Sequence, residues 1–403
     1  MRQNRYRRQT PSASYEDMQQ LLDRDRALLY WHISPVALTT FLLKSGEPME
    51  VRTLNSRQLL QFEQWMTRWR EGYGEYGKAS KGTSTPGEGE TPQQRNIPWR
   101  KTMGEALGEL SHLLQVQQWL PLLTDVSRLI LIPHRDLHLL PLESLFPGFC
   151  CTRLPSAQVG LQFPAGEGSP TTLLLVENPE RSLFASIEAA AISREYTTRR
   201  AAPVTEATVK QELRAGADIF HFTGHAYHDS TQSDASCLLL PENQRLTLRT
   251  LWDLSPLPPY SLVSLSACET GMTGTKDLID EFIGFPSAFL ANKTRYVLSS
   301  LWRVEDISSA ILKIVFYQHF HSGVHPSLAL QQAQNWLRNA TYADLGTFYA
   351  ELLANLPQEW DRDSRFFLDM ETQRVQGKFD TIKEPPYKHP YYWAGFTLHG
   401  DSR

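Results

Sequence analysis

An α/β fold, a mainly parallel sheet flanked by helices, is what this sequence predicts, on three observations. Short apolar runs at 171–176, 218–223, 260–267 and 295–301 read as buried strands. Stretches of helical spacing at 184–195, 206–215, 307–320 and 327–339 alternate with them, the pattern of right-handed βαβ units. Two of the strands run into reactive side chains, His225 and Cys268, and open parallel sheets place their chemistry at the carboxyl ends of strands.

In chain order, Arg2, Arg5, Arg7 and Arg8 open a basic tail over 1–26, with no apolar stretch that would make a signal peptide. Residues 27–33 and 38–43 read as strands joined by a Ser-Pro turn. Leu59, Leu60, Phe62, Trp65, Met66 and Trp69 recur at helical spacing and predict a helix over 55–71. Residues 72–98, rich in Gly, Ser, Thr, Pro and charge, predict a mobile surface loop. A helix over 102–120 and a strand over 128–132 follow. After 168 come the alternating elements above, a short strand near Thr198 and a helix over 344–356. The rest of 340–388 reads as loop, and 391–399 as a closing strand. No repeat at a period of 20–50 residues is found, which excludes a solenoid.

The chain has 403 residues, enough for two or three domains' worth of core. With 40 basic against 44 acidic residues the formal net charge is -4, which favours neither nucleic acid nor an anionic membrane as a partner. No apolar stretch is long enough for a transmembrane helix. Four cysteines (Cys150, Cys151, Cys237, Cys268) do not make a disulfide framework in a chain this long. A cytoplasmic protein is expected.

His225 and Cys268 carry the sharpest chemical reading. Either alone is most often a core residue. Together, each at the end of a buried strand and flanked by Gly and small residues, they fit a thiolate–imidazolium pair. Peptide cleavage needs a nucleophile, a proton carrier and two N–H donors for the oxyanion. Cys268, His225 and the backbone N–H groups of Ala226 and Cys268 supply that set. No Asp or Asn completes a triad, and a thiol needs less activation than a serine hydroxyl.

The strings His221-Phe222-Thr223-Gly224-His225-Ala226 and Leu265-Ser266-Ala267-Cys268-Glu269-Thr270-Gly271 resemble the His and Cys motifs of CHAT domains, caspase-like cysteine peptidases related to separases. Pro133-His134-Arg135-Asp136-Leu137-His138 with Leu140-Pro141, Ser300 to Asp306, and Tyr392 to Asp401 match in the family's order. The likeness spans about Leu29 to Asp401. It implies a caspase–haemoglobinase-like fold, with 27–168 a supporting pseudo-caspase-like half and 169–403 the catalytic half. His225 would be the general base and Cys268 the nucleophile of a regulated endopeptidase, which has a protein substrate, a regulatory protein partner and no cofactor. Thr223-Gly224 stands where Ala-Cys is more usual, and no tetratricopeptide repeats are found. Two other readings stay open: a catalytically silent interaction module and a non-peptidase cysteine hydrolase.

Glu305 and Asp306 follow the strand 295–301. Asp306 reads as the N-cap of the next helix; by resemblance to separases, the pair reads as an acidic S1 pocket for a basic P1 side chain. His134 and His138 have HxxxH spacing, but the flanking Pro133 and Pro141 argue for a loop, and no third ligand is evident; no metal is expected. His221 is read as core, His228 as loop, and the adjacent Cys150 and Cys151 as packing residues.

Overall fold

A computed structural model describes residues 13–79, 95–163, 168–178, 183–229, 232–266, 270, 284–356, 362–378 and 382–401. β1 (Arg26–Ile33), β2 (Leu38–Lys44) and β3 (Glu50–Leu54) form an antiparallel meander, and β4 (Arg128–Ile132) and β5 (Cys150–Arg153) extend it in parallel from β1. The second half supplies β6 (Thr172–Glu177), β7 (Thr197–Arg200) and β8 (Ile219–Thr223). β9 (His225–Tyr227), β10 (Cys237–Leu239) and β11 (Arg245–Thr247) make a separate antiparallel sheet. β12 (Leu262–Ser266), β13 (Tyr296–Ser300) and β14 (Phe396–Gly400) complete the large sheet. Its order among the described residues is β3-β2-β1-β4-β5-β14-β13-β12-β8-β6-β7. Along that order β13, β12, β8, β6 and β7 are parallel neighbours, whereas β14 runs antiparallel to β13 and parallel to β5, so the last strand joins the two halves.

The long helices are α1 (Ser56–Ala79), α2 (Met103–Leu113), α3 (Leu183–Ser193), α4 (Glu206–Ala215), α5 (Asp306–His321), α6 (Pro326–Asn339), α7 (Tyr342–Asn355) and α8 (Arg362–Gln376). Side chains alternate across a strand, so β8 and β12 send Phe220, Phe222, Val263 and Leu265 into one apolar layer. The opposite face presents His221, Ser264 and Ser266 to helices α3 and α5. That polar stripe beneath the ends of two central strands positions the site.

Several expectations are corrected. The tail over 1–26 is folded from residue 13: Ser14 and Asp17 form a capping box for the helix Tyr15–Gln19, and Leu21 enters the core. Residues 72–79, expected as loop, are helical: α1 continues to Ala79 with Tyr76 buried and Tyr73 against Trp99. Residues 80–94 lie outside the described residues, as do 1–12. The helix over 102–120 is broken at Gln115, whose left-handed φ of 54° ends α2 before a short turn of helix, Val116–Trp119. Residues 362–376, read as loop, are helical, and 391–399 divides into a 3-10 turn at Pro390–Tyr392 and strand β14.

Candidate functional site

Strands β8 and β12 lie side by side in register, from Leu262 opposite Ile219 to Ser266 opposite Thr223. One residue on, the Gly224 N–H donates to the Ser266 carbonyl at 3.1 Å. Gly224 has φ +152°, and a Cβ there would stand 3.0 Å from Asn178 Cβ and 3.1 Å from Asn178 O. Both the left-hand φ and the close approach call for glycine. The bend turns the chain out of the large sheet, so His225 is the first residue of β9 rather than the last of β8. His225 is half-buried, and its Nε2 is buried with no hydrogen-bond partner among the described residues. Ala226 follows, buried and opposite Leu238 of β10. Cys268 lies outside the described residues, two positions beyond Ser266 in the sequence.

A half-open pocket, about 370 Å³ with the solvent at its mouth included, sits where these strands end, lined by Glu188, Thr223, Gly224, Ser266, Ser300 and Asp306 among others. Glu188, only 2% exposed, projects from α3. Its Oε2 accepts a hydrogen bond from Ser266 Oγ at 2.8 Å, and its Oε1 lies 2.9 Å from His221 Nε2. The other ring nitrogen of His221 is 3.1 Å from the Tyr317 hydroxyl of α5. Burial pulls His221 below the ordinary imidazole range despite the opposing Glu188 charge. Lys313, fully buried on α5, reaches Ser264 Oγ at 3.4 Å. Burial lowers its amine to about 8, partly countered by Glu188. The reading from sequence placed His221 in the core, as observed, but missed Glu188 and Lys313. The available signal was a charge set within an apolar stretch of each of two helices, Glu188 in α3 and Lys313 in α5, opposite serines in an apolar strand.

Asp306 and Glu305 separate. Glu305 is the N-cap of α5 and makes no side-chain cap hydrogen bond; Asp306 is the first helical residue, so the N-cap reading of Asp306 is corrected. Asp306 lines the cavity. Glu305 is not among the lining residues. The loop between β13 and α5 is clamped by aromatic rings. Trp302 meets Trp69 and Trp99 edge-on, its indole N–H donates to the Tyr391 carbonyl at 2.9 Å, and Leu301 N donates to Gly395 O at 2.8 Å.

The remaining candidates have structural roles. His134 Nδ1 accepts from Ile33 N at 2.9 Å. His138 is buried in the 3-10 turn Arg135–Leu139, whose C-terminal carbonyls wrap the Arg153 guanidinium together with Glu143. His228 lies in a loop, with Nδ1 3.4 Å from Ser236 Oγ. No group of three or more His, Cys, Asp or Glu suited to a metal occurs among the described residues. Cys150, Cys151 and Cys237 are free and buried, and burial raises all three thiols, which makes them poor nucleophiles. No helix among the described residues is long and apolar enough to cross a membrane.

A search of the curated proteins finds no match. Among solved structures, two crystal structures of the Saccharomyces cerevisiae separase–securin complex are similar over 96% of this chain, with TM-scores of 0.50 and 0.51 at 11% and 10% identity. The match covers 30% of the separase chain, so this protein spans under a third of that length. The Arg-specific gingipain R of Porphyromonas gingivalis matches 74% of this chain and 67% of its own, with a TM-score of 0.38 at 10% identity. The likeness to separase shows a shared fold. The family model described as the CHAT domain matches residues 164–401, and on that match the chain belongs to the CHAT domain family.

Proposed function

We propose that this protein is a cysteine endopeptidase in which Cys268 is the nucleophile and His225 its general base. The observation that carries the reading is the placement of His225. It follows the carboxyl end of β8 with a buried, unpartnered Nε2 among the described residues, beside the strand whose sequence continues into Cys268. In this mechanism His225 takes the Cys268 proton, and the thiolate attacks the scissile carbonyl. The backbone N–H groups of Ala226 and Cys268 stabilise the oxyanion, and His225 returns the proton to the leaving amine. Water then hydrolyses the acyl-enzyme. Asp306, on the cavity wall, would receive a basic P1 side chain, with Glu305 the residue before it in the sequence. A protein substrate follows from the reaction, and a regulatory protein partner is proposed by analogy with separase, whose structure is a complex with securin. The three free thiols fit a reducing, cytoplasmic setting. Incubating wild type and Cys268→Ala with a peptide library, with cut sites read by mass spectrometry, tests the proposal. Cleavage by wild type alone supports it; equal traces overturn it.

A further inference from the structure

Resting on that reading of the dyad, we infer that Glu188 is a positioning residue for it, acting through Ser266. In the sequence, His225 and Cys268 each follow by two residues a member of the register pair Thr223–Ser266. Whatever fixes that pair in relation to its surroundings therefore fixes the starting points of both segments. Glu188 does so from a third element. Its carboxylate holds Ser266 Oγ at 2.8 Å and His221 Nε2 at 2.9 Å, tying α3 to β12 and β8 at one point. His221 extends the tie to Tyr317 of α5, the helix that begins with Asp306. A buried carboxylate that accepts from Ser266 tolerates little displacement of that strand end, because losing the bond leaves a desolvated group uncompensated. The backbone adds a parallel constraint in the bond from Gly224 N to Ser266 O.

A purely structural tie would affect only stability, whereas a positioning tie changes how Cys268 reacts. The test follows alkylation of Cys268 by iodoacetamide at neutral pH, peptide by peptide in the intact protein, with the buried Cys150, Cys151 and Cys237 as internal controls. Melting temperature is recorded beside it. Ser266→Ala, which frees the strand end and leaves the Glu188–His221 contact, is expected to slow Cys268 alkylation about tenfold. Glu188→Ala should slow it at least as much, and Glu188→Gln, which can still accept from Ser266, should recover most of that loss. A folded Ser266→Ala protein that reacts at the wild-type rate overturns the inference, as does a Glu188→Gln protein no faster than Glu188→Ala. Peptide cleavage is scored separately. Fast, Ser266-dependent alkylation without cleavage upholds the inference and sinks the peptidase reading, and cleavage with Ser266-independent alkylation does the reverse.

Discussion

The Arg303 N–H donates to the Tyr73 hydroxyl at 3.3 Å, a bond that spans 230 residues and fastens α1 to the loop leading into α5. The same loop is pinned from the other side, since a Cβ on Gly395 would stand 2.7 Å from the Trp302 ring. Gly395→Ala is therefore expected to destabilise the protein by about 1–3 kcal/mol through overpacking. Because Trp302 carries the loop toward Asp306, KM for peptide substrates should rise with it. Urea denaturation at neutral pH measures the first effect, and an unchanged midpoint would contradict it.

The acidic pocket makes a separable prediction. A charge-assisted hydrogen bond contributes about 1.5–3 kcal/mol, so Asp306→Ala should lower cleavage after Lys or Arg by about 10- to 150-fold. Glu305→Ala should leave the P1 preference unchanged, since that side chain does not line the cavity. Neither change should slow alkylation of Cys268. P1 profiling of both variants decides it: a preference for basic residues that survives Asp306→Ala removes the pocket.

Acid stability should depend on His138, His389 and His399 together with His221, which burial also lowers. Burial is the first cause that lowers each: His138 and His399 fall well below the ordinary value, with the Arg153 charge second, and His389 falls to about 4, with Arg100 second. Each folded pKa lies below the unfolded value of about 6.5. Between those values the unfolded chain binds a proton that the folded chain refuses, so stability holds above about pH 6.5 and is lost as pH falls. Each histidine can contribute a slope of up to about 1.4 kcal/mol per pH unit. Unfolding free energies at pH 7, 6 and 5 should drop steeply, whereas a flat profile would contradict the assignment.

Much of the fold was legible because its signals are local. Strand β4 was read over the residues it occupies, and α4 likewise, bracketed by a Thr205 hydroxyl that accepts from Thr208 N and by Gly216 at φ +75°. The misses have physical causes. β5 is four residues, Cys-Cys-Thr-Arg, wholly buried and thus without alternation; its Arg153 is tolerated because Glu143 and two carbonyls surround it. The strands β9, β10 and β11 have three residues each, too few for an alternation to show. Helix α8 is rich in charge and reads as solvent-exposed, although Leu368 and Val375 are buried. Motif strings located His225, and the cavity beside it was not legible, because Glu188 and Asp306 meet there only through the fold.

The central claim is that His225 activates Cys268, and the rate of Cys268 alkylation as a function of pH tests it most directly. Wild type should react through a thiolate that forms with an apparent pKa below about 7, and His225→Ala should move that inflection toward the ordinary thiol value of about 8.5. Superimposable profiles for the two proteins, both with inflections near 8.5, would contradict it.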